Sequence, residues 1–512
     1  MELEWTCALL FCSLLFLATC LLLLLIKKPS DKGTQNRPPG PPGWPVIGNM
    51  LDLGSIPHQT LYRLHFEYGP ILWLKLGSVS TMVVQSAKAA TELFKNHDAD
   101  FCDRKCPDSL TAHNFNLGAL SLSQCGVYWR LLRRLYSMEL HVNKRINETA
   151  HIRRKCIDNM LRFIEEDAAA ARARGESGEV NLAHYLFVMA FNLIGNVVLS
   201  KDLLDSQSKE GHEFYDAMNK VFEWAGKPNV ADYFPFLKWL DPVGIKRNMV
   251  RDMGRTMKII ARLVAERAEE KKLAREKEKN FLDVLLEYQG DKKGGPDTIS
   301  EQNVKIIVSE IFFGGSETTS STIEWGMAEL LCKPDLMRKA KEELNSIVGP
   351  SRKVEESDIG DLPYLRAVVK ETLRLHPPFP LLLPRNALQN TNYMGYSVPK
   401  NTQIFVNAWA IGRDPDAWED PLSFKPERFL GSQIDYKGQN YELIPFGAGR
   451  RICVGILLAE RVIHLALASL IHCFDWELGN STTPETMDMN ERMGIAVRKL
   501  VPLLVQPKKR IV

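Results

Sequence analysis

The chain contains no C-x-x-C pair. Its single C-x-x-x-C, from Cys102 to Cys106, has no histidine pair downstream at zinc-finger spacing. Ten cysteines among 512 residues are ordinary usage, so no disulfide framework is expected and a reducing compartment is favoured. No long basic run is present and the formal net charge is only +3, which argues against nucleic-acid binding. With 45% hydrophobic residues, the composition is that of a folded globular chain.

One long apolar run near the N-terminus departs from this composition. Residues 6–26 carry no charge, and a helix of that length spans about 30 Å, the thickness of a bilayer core. Acidic residues precede the run and basic residues follow it, namely Glu2, Glu4, Lys27, Lys28 and Lys32. A cleaved signal peptide would have a basic start and a shorter run. We therefore expect an uncleaved signal anchor, with residues 1–5 in the lumen and the rest in the cytosol. The sequons at Asn147 and Asn480 would then stay unused.

A basic, proline-rich hinge is predicted at residues 27–45, because prolines fix φ and stiffen the chain. Beyond it no second linker and no repeat is evident, so residues 46–512 are predicted to form one domain. The segment Gly69–Gln85 is typical of a β-hairpin, and Asn392–Val406 of a second short strand region. Gln289–Thr298 is typical of a loop. Most of the remainder is typical of helices, so the prediction is a mainly α domain with small β-sheets.

A helix is predicted to end at Pro377 and Pro378, because proline cannot continue a helix. Within it Glu371 and Arg374 stand three residues apart, so they share a face and can form an ion pair. Taken alone, this spacing is most typical of a surface ion pair, worth about 0.3 kcal/mol.

A long apolar helix is predicted from Glu301 to Leu331, and its middle is weak. The stretch Gly314–Thr322 combines two glycines with a run of Ser and Thr, which are poor helix formers. Close approach of a ligand, a local bulge, a helix break and tight packing on small residues are all compatible with this pattern. Glu317 and Thr318 place an acid and an alcohol at this point, where a proton path can be built.

The stretch PFGAGRRICVG, Pro445–Gly455, holds Cys453 among glycines and two arginines. A phosphate loop would need Lys-Ser/Thr after its glycines, and a dinucleotide fingerprint would need glycine in place of Ile452. A nucleophilic cysteine usually needs a histidine base, which no nearby motif supplies. A metal thiolate is the fourth hypothesis, since Arg450 and Arg451 favour a thiolate or bind an anion. One thiolate cannot make a zinc site, but it can be the axial ligand of a haem.

Five motifs together make the chain resemble the cytochrome P-450 superfamily of haem-thiolate monooxygenases. They are FGAGRRICVG (Phe446–Gly455), ETLR (Glu371–Arg374), FKPERF (Phe424–Phe429), GGSETT (Gly314–Thr319) and WRLLR (Trp129–Arg133). Their order and spacing match the family along most of the chain, hinge included, and the cysteine motif is highly specific by itself. The resemblance implies the family fold, a single mainly α catalytic domain with small β-sheets.

The resemblance also implies a role for each matching residue. Cys453 would be the axial thiolate on the iron of haem b, and Glu317 and Thr318 would relay protons. The residues expected at the haem propionates are Arg451, Trp129, Arg133 and Arg385. A buried network that replaces the surface ion pair would consist of Glu371, Arg374 and Arg428. Gly314 departs from the alanine usual in the family, which could loosen the helix or widen the room above the haem.

The implied reaction is two-electron activation of O₂ with one oxygen atom inserted into a substrate. Electrons would come from NADPH through a separate membrane reductase, because no flavin or nicotinamide motif is visible. The basic face expected to meet this reductase consists of Arg130, Arg134, Lys144 and Arg450. The expected setting is a monomer in the endoplasmic reticulum membrane, with a single span and a cytosolic catalytic domain.

The substrate is expected to be small and hydrophobic. The hinge and the segment before Cys453 look plant-like and similar to the plant family numbered seventy-six, in a branch that oxidises monoterpenols and iridoids. The expected pocket walls are apolar and include Phe115, Leu120, Phe313, Leu381, Leu382 and Ile495. Each alone is more typical of ordinary core, but the set predicts hydroxylation of an allylic methyl on a terpenoid.

Other functions stay open at this point. The substrate could be a fatty acid, a phenylpropanoid, a diterpene or an alkaloid. A haem-thiolate isomerase or dehydratase needs no O₂, but such relatives typically lack the threonine found here as Thr318. A haem sensor or carrier without turnover would not need the acid and alcohol pair.

Overall fold

The computed structural model describes residues 11–19, 36–140, 142–204, 209–273, 279–290, 295–479 and 482–510. Of the predicted anchor, residues 6–26, it describes 11–19, which are helical and exposed. The rest of the anchor, hinge residues 27–35 and the sequon residue Asn480 lie outside the described residues. Two other described helices are apolar and long enough to cross a membrane, but both are 72% buried inside the protein, Leu182–Leu199 and Ile456–Cys473.

Helices form most of the described chain, as the sequence predicts. In chain order they are α1 (Pro57–Tyr68), α2 (Ala87–Asn96), α3 (Phe115–Gly118), α4 (Val127–Leu140), α5 (Asn143–Glu148), α6 (Ala150–Ala173), α7 (Leu182–Leu199), α8 (Lys209–Gly226), α9 (Val230–Tyr233), α10 (Ile245–Leu273), α11 (Phe281–Glu287), α12 (Glu301–Gly315), α13 (Glu317–Cys332), α14 (Pro334–Ile347), α15 (Pro363–Leu375), α16 (Ala408–Ile411) and α17 (Ile456–Cys473). Short 3₁₀ turns lie between them at Leu51–Leu53, Asp108–Asn114, Pro235–Leu237, Glu356–Asp361, Pro426–Phe429 and Gly449–Arg451.

The strands are short and gather into small sheets. They are β1 (Ile71–Leu76), β2 (Val79–Val84), β3 (Asp103–Arg104), β4 (Val180–Asn181), β5 (Arg385–Asn386), β6 (Thr391–Tyr393), β7 (Tyr396–Val398), β8 (Gln403–Val406), β9 (Phe474–Leu478), β10 (Glu491–Arg492), β11 (Arg498–Lys499) and β12 (Leu504–Lys509). The largest sheet has the order β1-β2-β8-β5-β3, and the others are β4-β12-β9, β10-β11 and β6-β7.

Both predicted strand regions are confirmed. β1 and β2 pair antiparallel, from Ile71 opposite Val84 to Leu76 opposite Val79. Gly77 closes the turn with φ +57°, a conformation that glycine adopts at little cost. In the second region β6 and β7 form an antiparallel pair, while β8 continues the first sheet parallel to β2.

The long helix predicted for residues 301–331 is divided at its weak middle. α12 ends at Gly315 and α13 begins at Glu317, but Ser316 keeps helical angles, so the chain continues in a helical course. Nearby, the Thr318 hydroxyl donates to the Gly314 carbonyl over 2.7 Å, so a side chain competes here for a backbone acceptor of the helix. Both helices are buried along most of their length, so the interruption lies inside the core.

Candidate active site

Cys453 lies in a glycine-rich loop immediately before α17. The loop turns through Gly447 and Gly449, both at positive φ, and a Cβ at Gly449 would stand only 2.5 Å from Asp98 Oδ1. The Cys453 side chain is exposed although protein atoms surround it closely, so it faces an internal cleft. Burial raises the pKa of this thiol, while the N–H of Gly455 and the charge of Arg133 lower it in part.

Helix α12 is tied to the cysteine loop through Leu120. The Leu120 N–H donates to Glu310 Oε2 over 2.8 Å, and its carbonyl accepts from Arg451 Nη1 over 3.0 Å. Glu310 lies one helical turn before Gly314, which is exposed in the middle of a buried helix, and a Cβ there would meet nothing within 4 Å. The weak point of the helix therefore borders open space near the loop that carries Cys453.

Three buried arginines lie close together beside this loop. Arg451 donates to the carbonyls of Cys102, Leu120 and Ser123, and Arg104 to those of Ser121 and Leu383. Arg385 bonds Asp98 Oδ1 over 2.8 Å. Burial and the charges of Arg385 and Arg451 hold the pKa of Arg104 well below its usual value. The cluster thus carries an excess of positive charge in the protein interior.

The residues present fit a haem. Two propionate carboxylates would balance the surplus charge of the arginines, since buried charges are normally paired. Trp129 Nε1 is buried and, among the described residues, has no hydrogen-bond partner, so it is a donor in need of an acceptor. A thiol facing a cleft, with a glycine on the helix that borders it, leaves room for a flat cofactor and one sulfur ligand.

The predicted propionate residues are gathered in this region, with different contacts. The ring centroid of Trp129 lies 4.6 Å from Cζ of Arg451, whose guanidinium stacks over the ring. Arg133, one turn further along α4, donates to the Ile452 carbonyl over 2.5 Å. Arg385 also donates to the Ala448 carbonyl over 3.1 Å. Arg451 is therefore part of the loop that carries Cys453, and the other three predicted residues contact this loop.

The predicted proton-relay residues lie at the interruption between α12 and α13. Glu317 is buried and forms an ion pair with Arg498 of β11. Burial raises the pKa of Glu317, and Arg498 lowers it in part. Thr318 is half-buried and its hydroxyl bonds the helix itself. An acid that holds its proton more readily than usual stands beside an alcohol that can pass one on.

Glu371, Arg374 and Arg428 are brought together in the core. The Glu371 and Arg374 side chains are fully buried, with Nε to Oε2 at 2.7 Å and Nη2 to Oε1 at 2.8 Å. Arg428 Nε approaches Glu371 Oε1 to 3.1 Å, and the Lys425 N–H donates to the same oxygen over 2.7 Å. The surface location that the spacing alone favours is therefore wrong, because both side chains are buried. The network holds α15 to the 3₁₀ turn Pro426–Phe429.

The predicted pocket residues are only partly gathered. Phe115 and Phe313 are buried and their ring centroids lie 5.6 Å apart. Leu382 reaches the cysteine loop, with its Cδ1 3.8 Å from a Cβ placed on Gly447. Leu381 instead packs against the cluster under β1 and β2. Ile495 is half-buried and packs on the main core, close to Gly226 at the end of α8.

Several residues of the site were not predicted from the sequence. Glu310 accepts from the backbone of Leu120 and Ser121 and from the hydroxyl of Tyr136. It could have been found as a lone acid in an apolar helical stretch. Arg104 and Arg498 carry no comparable signal, because neither stands in a recognisable motif and their partners are distant in sequence.

Comparisons with known proteins show the family to which the chain belongs. A family model described as Cytochrome P450 matches residues 38–504. Iridoid oxidase of Catharanthus roseus is 58% identical over 96% of this chain and 96% of its own length. Cytochrome P450 76A2 of Solanum melongena is 49% identical over 99% and 100%, and geraniol 8-hydroxylase of Catharanthus roseus 42% over 93% and 95%.

A solved structure has the same fold. A zebra fish cytochrome P450 structure with progesterone matches with a TM-score of 0.74 and 27% identity. The match covers 88% of this chain and 99% of the other.

Proposed function

The chain belongs to the cytochrome P450 family, within the plant family numbered seventy-six, and we propose that it hydroxylates an allylic methyl group of a small terpenoid. It is a monooxygenase that uses haem b, O₂ and electrons from NADPH delivered through a reductase. Its relatives include an iridoid oxidase and two geraniol 8-hydroxylases, which supports a monoterpenol or iridoid substrate. The observation that carries the proposal is Cys453, a cysteine facing an internal cleft beside an apolar helix.

Haem held by a thiolate supplies the activation of dioxygen and the insertion of one oxygen atom into a C–H bond. In our proposal Cys453 is that thiolate, and the residues that bind the propionates are Arg451, Trp129, Arg133, Arg385 and Arg104. Glu317 would take up and release a proton at Oε2, which is buried without a partner among the described residues, and Thr318 Oγ1 would pass it into the cleft.

Phe115, Leu120 and Phe313 would form the apolar wall that positions the substrate and excludes water. Leu382 and Ile495 would complete the wall on the other sides, whereas Leu381 packs on the cluster under β1 and β2. Glu310 fixes the backbone of Leu120 and so sets the position of this wall. Apolar walls of this kind favour a hydrocarbon chain over a free carboxylate, since burial of an unpaired charge is costly.

The proposed setting is the endoplasmic reticulum membrane. Residues 6–26 would form one span, residues 27–45 the hinge, and residues 46–512 a monomeric catalytic domain in the cytosol. Arg130, Lys144 and Arg450 are exposed and Arg134 half-buried, as a basic docking face for the reductase requires. Charge reversal at Arg130 or Arg134 is expected to slow turnover supported by reductase and not turnover driven by added peroxide.

The proposal is tested with microsomes that contain the protein and its reductase. A reduced-CO spectrum first establishes the thiolate-bound haem, and Cys453→Ser is expected to remove that band together with activity. Type I spectral shifts then rank monoterpenols, iridoids, fatty acids and aromatic acids. Turnover under ¹⁸O₂ should place one labelled oxygen on an allylic carbon of a terpenoid.

Three outcomes would contradict the proposal. Oxidation of only aromatic acids or long fatty acids would exclude the terpenoid substrate. Conversion of a substrate without NADPH consumption or label would indicate an isomerase or dehydratase. Binding of every substrate without product would indicate a haem carrier.

A further inference from the structure

Cys102 and Cys125 meet beside the arginine cluster, and the proposed reaction does not use them. Their sulfur atoms and a carboxylate oxygen of Asp103 all lie within 4.8 Å of one another. Cys125 Sγ lies 3.3 Å from the Cys102 carbonyl, and the Cys125 N–H donates to Asp103 Oδ1 over 2.7 Å. Two segments that are 23 residues apart in sequence are thus held with their thiols face to face.

Electrostatics favour a thiolate here over a metal ion. Arg451 Nη2 donates to Cys125 Sγ over 3.4 Å, and Arg104 is near enough to interact with the same sulfur. A cation bound by the two sulfurs would meet these guanidinium groups, which repel it. A negative charge on Cys125 is stabilised instead by the direct hydrogen bond from Arg451.

The two thiols lie in different surroundings. The hydrogen bond from Cys102 and the charge of Arg451 lower the pKa of Cys125 to about 6, although burial and the charge of Asp103 oppose this. The same hydrogen bond, together with burial, raises the pKa of Cys102. Cys125 is half-buried and Cys102 buried. The arrangement is that of an accessible thiolate beside a protonated partner that can resolve an oxidised intermediate.

We propose that Cys102 and Cys125 form a peroxide-reactive pair whose oxidation to a disulfide reversibly slows the enzyme. The Cys125 thiolate attacks hydrogen peroxide, which forms a sulfenic acid and, after protonation, releases one water. The Cys102 sulfur then attacks that sulfenic acid, forms the S–S bond and releases a second water. Two thiols lose two electrons and two protons in total, and one peroxide becomes two waters. Electrons that reach O₂ without oxidising a substrate produce this peroxide, so the enzyme itself is a source.

The disulfide acts on the site through Arg451. The carbonyls of Cys102 and Ser123 accept from Arg451 over 2.8 and 2.6 Å, and Cys125 Sγ is a further acceptor. Joining the two sulfurs removes that acceptor and draws the end of the 120–125 loop toward Cys102. Because Arg451 stands two residues before Cys453, the altered hydrogen bonding of Arg451 shifts the loop that carries Cys453.

The test uses holoenzyme in microsomes, exposed to graded hydrogen peroxide and then alkylated and digested with trypsin. Cys125 shares its tryptic peptide with Cys106. The experiment is therefore run in parallel on Cys106→Ser, which leaves one cysteine in that peptide. Cys106 is also the matched control, because burial raises the pKa of its thiol to about 12. A peptide linked through Cys102 and Cys125 should form while the reduced-CO spectrum is still intact.

Turnover should fall with the appearance of the linked peptide and recover after dithiothreitol. In Cys125→Ser the linked peptide and the reversible loss of turnover should both disappear. The activity of each variant is compared with that of the same variant before peroxide treatment. In Cys102→Ala the Cys125 sulfenic acid should persist and react with dimedone. Absence of the linked peptide below the peroxide concentration that bleaches the haem would overturn the proposal. A reversible loss of turnover that is equally large in Cys125→Ser would also overturn the proposal. The mass-spectrometric readout needs no substrate, so it is independent of the proposed function.

Discussion

Arg498 on strand β11 forms an ion pair with Glu317 at the first position of helix α13. The hairpin β10–β11 that carries Arg498 also carries Ile495, one of the proposed pocket residues. Ser321 of α13 donates to the Val497 carbonyl over 2.8 Å and holds this hairpin against the helix. The substrate wall and the proposed proton donor are therefore joined through one short hairpin.

The ion pair predicts how the proton on Glu317 titrates. Burial raises the pKa of Glu317 and Arg498 lowers it in part, so Arg498→Gln should raise it further. An infrared titration of the protonated carboxyl band should show a midpoint above that of an ordinary glutamate, and a higher one in Arg498→Gln. The band should be missing in Glu317→Gln. An unchanged midpoint in Arg498→Gln would contradict the pairing.

The same shift has a consequence for stability, with a defined sign. Between the ordinary glutamate pKa and the raised pKa, the folded protein holds a proton that the unfolded chain has lost. The free energy of unfolding therefore falls as the pH rises through this window. Glu317→Gln should flatten that part of the stability profile, as measured by urea unfolding at a series of pH values. Equal slopes in the two proteins would show that Glu317 titrates normally.

Glu310 should control substrate binding without touching substrate. It accepts two backbone N–H groups of the loop at Leu120 and Ser121, and hydrogen bonds to a charged group contribute about 1.5–3 kcal/mol. Glu310→Gln should loosen this loop and weaken type I binding by about tenfold or more. Tyr136→Phe removes one bond to the same carboxylate and should have a smaller effect. The reduced-CO spectrum should persist in both variants. Equal substrate binding in Glu310→Gln and wild type would show that Glu310 does not control binding through the Leu120 loop.

Breaking the Glu371 network should lower the free energy of unfolding more than breaking any surface ion pair. Glu371→Gln leaves Arg374 as a fully buried charge with a weakened partner, at a cost of about 3–5 kcal/mol. We expect a lower thermal midpoint and a lower haem content per polypeptide. The matched control is Glu342→Gln, which breaks the exposed pair between Arg338 and Glu342. Similar losses in the two variants would argue against a special role for the buried network.

Much of the fold could be predicted because local patterns determined it. The hairpin at Gly69–Gln85 followed from alternating β-branched residues, and the end of α15 from Pro377 and Pro378. The division of the long helix at Ser316 was one of several outcomes compatible with its glycines and hydroxyls. The sequence could not decide among them, because packing of α12 and α13 inside the core determines how far the weak turn opens.

The site was less predictable wherever partners are distant in sequence. The spacing of Glu371 and Arg374 predicts only a surface pair, and Arg428 enters through the motif resemblance. Burial of the pair depends on segments that no local pattern reveals. Arg104 and Arg498 were missed for the same reason, since Arg104 bonds Leu383 and Arg498 bonds Glu317. The sequence predicts no disulfide framework, and the approach of Cys125 to Cys102 becomes visible only in the folded chain.

Two adjacent glycines on α12 provide the sharpest test of the cleft. A Cβ at Gly314 would meet nothing within 4 Å, whereas a Cβ at Gly315 would stand 2.6 Å from Ile194 Cδ1. Gly314→Ala should therefore raise the free energy of unfolding by about 0.5–1 kcal/mol, because alanine is the better helix former. Gly315→Ala should lower it by about 1–3 kcal/mol through overpacking against α7.

The same pair separates stability from the shape of the site. Because Gly314 borders the cleft, the added methyl should weaken type I binding of bulky terpenoids more than that of small ones. Gly315→Ala should change binding of both sizes to the same degree, since its methyl points into the packed core. Urea unfolding and spectral titrations on the two variants measure both effects. If Gly314→Ala destabilises the protein and leaves the size preference unchanged, then Gly314 does not face the substrate cleft.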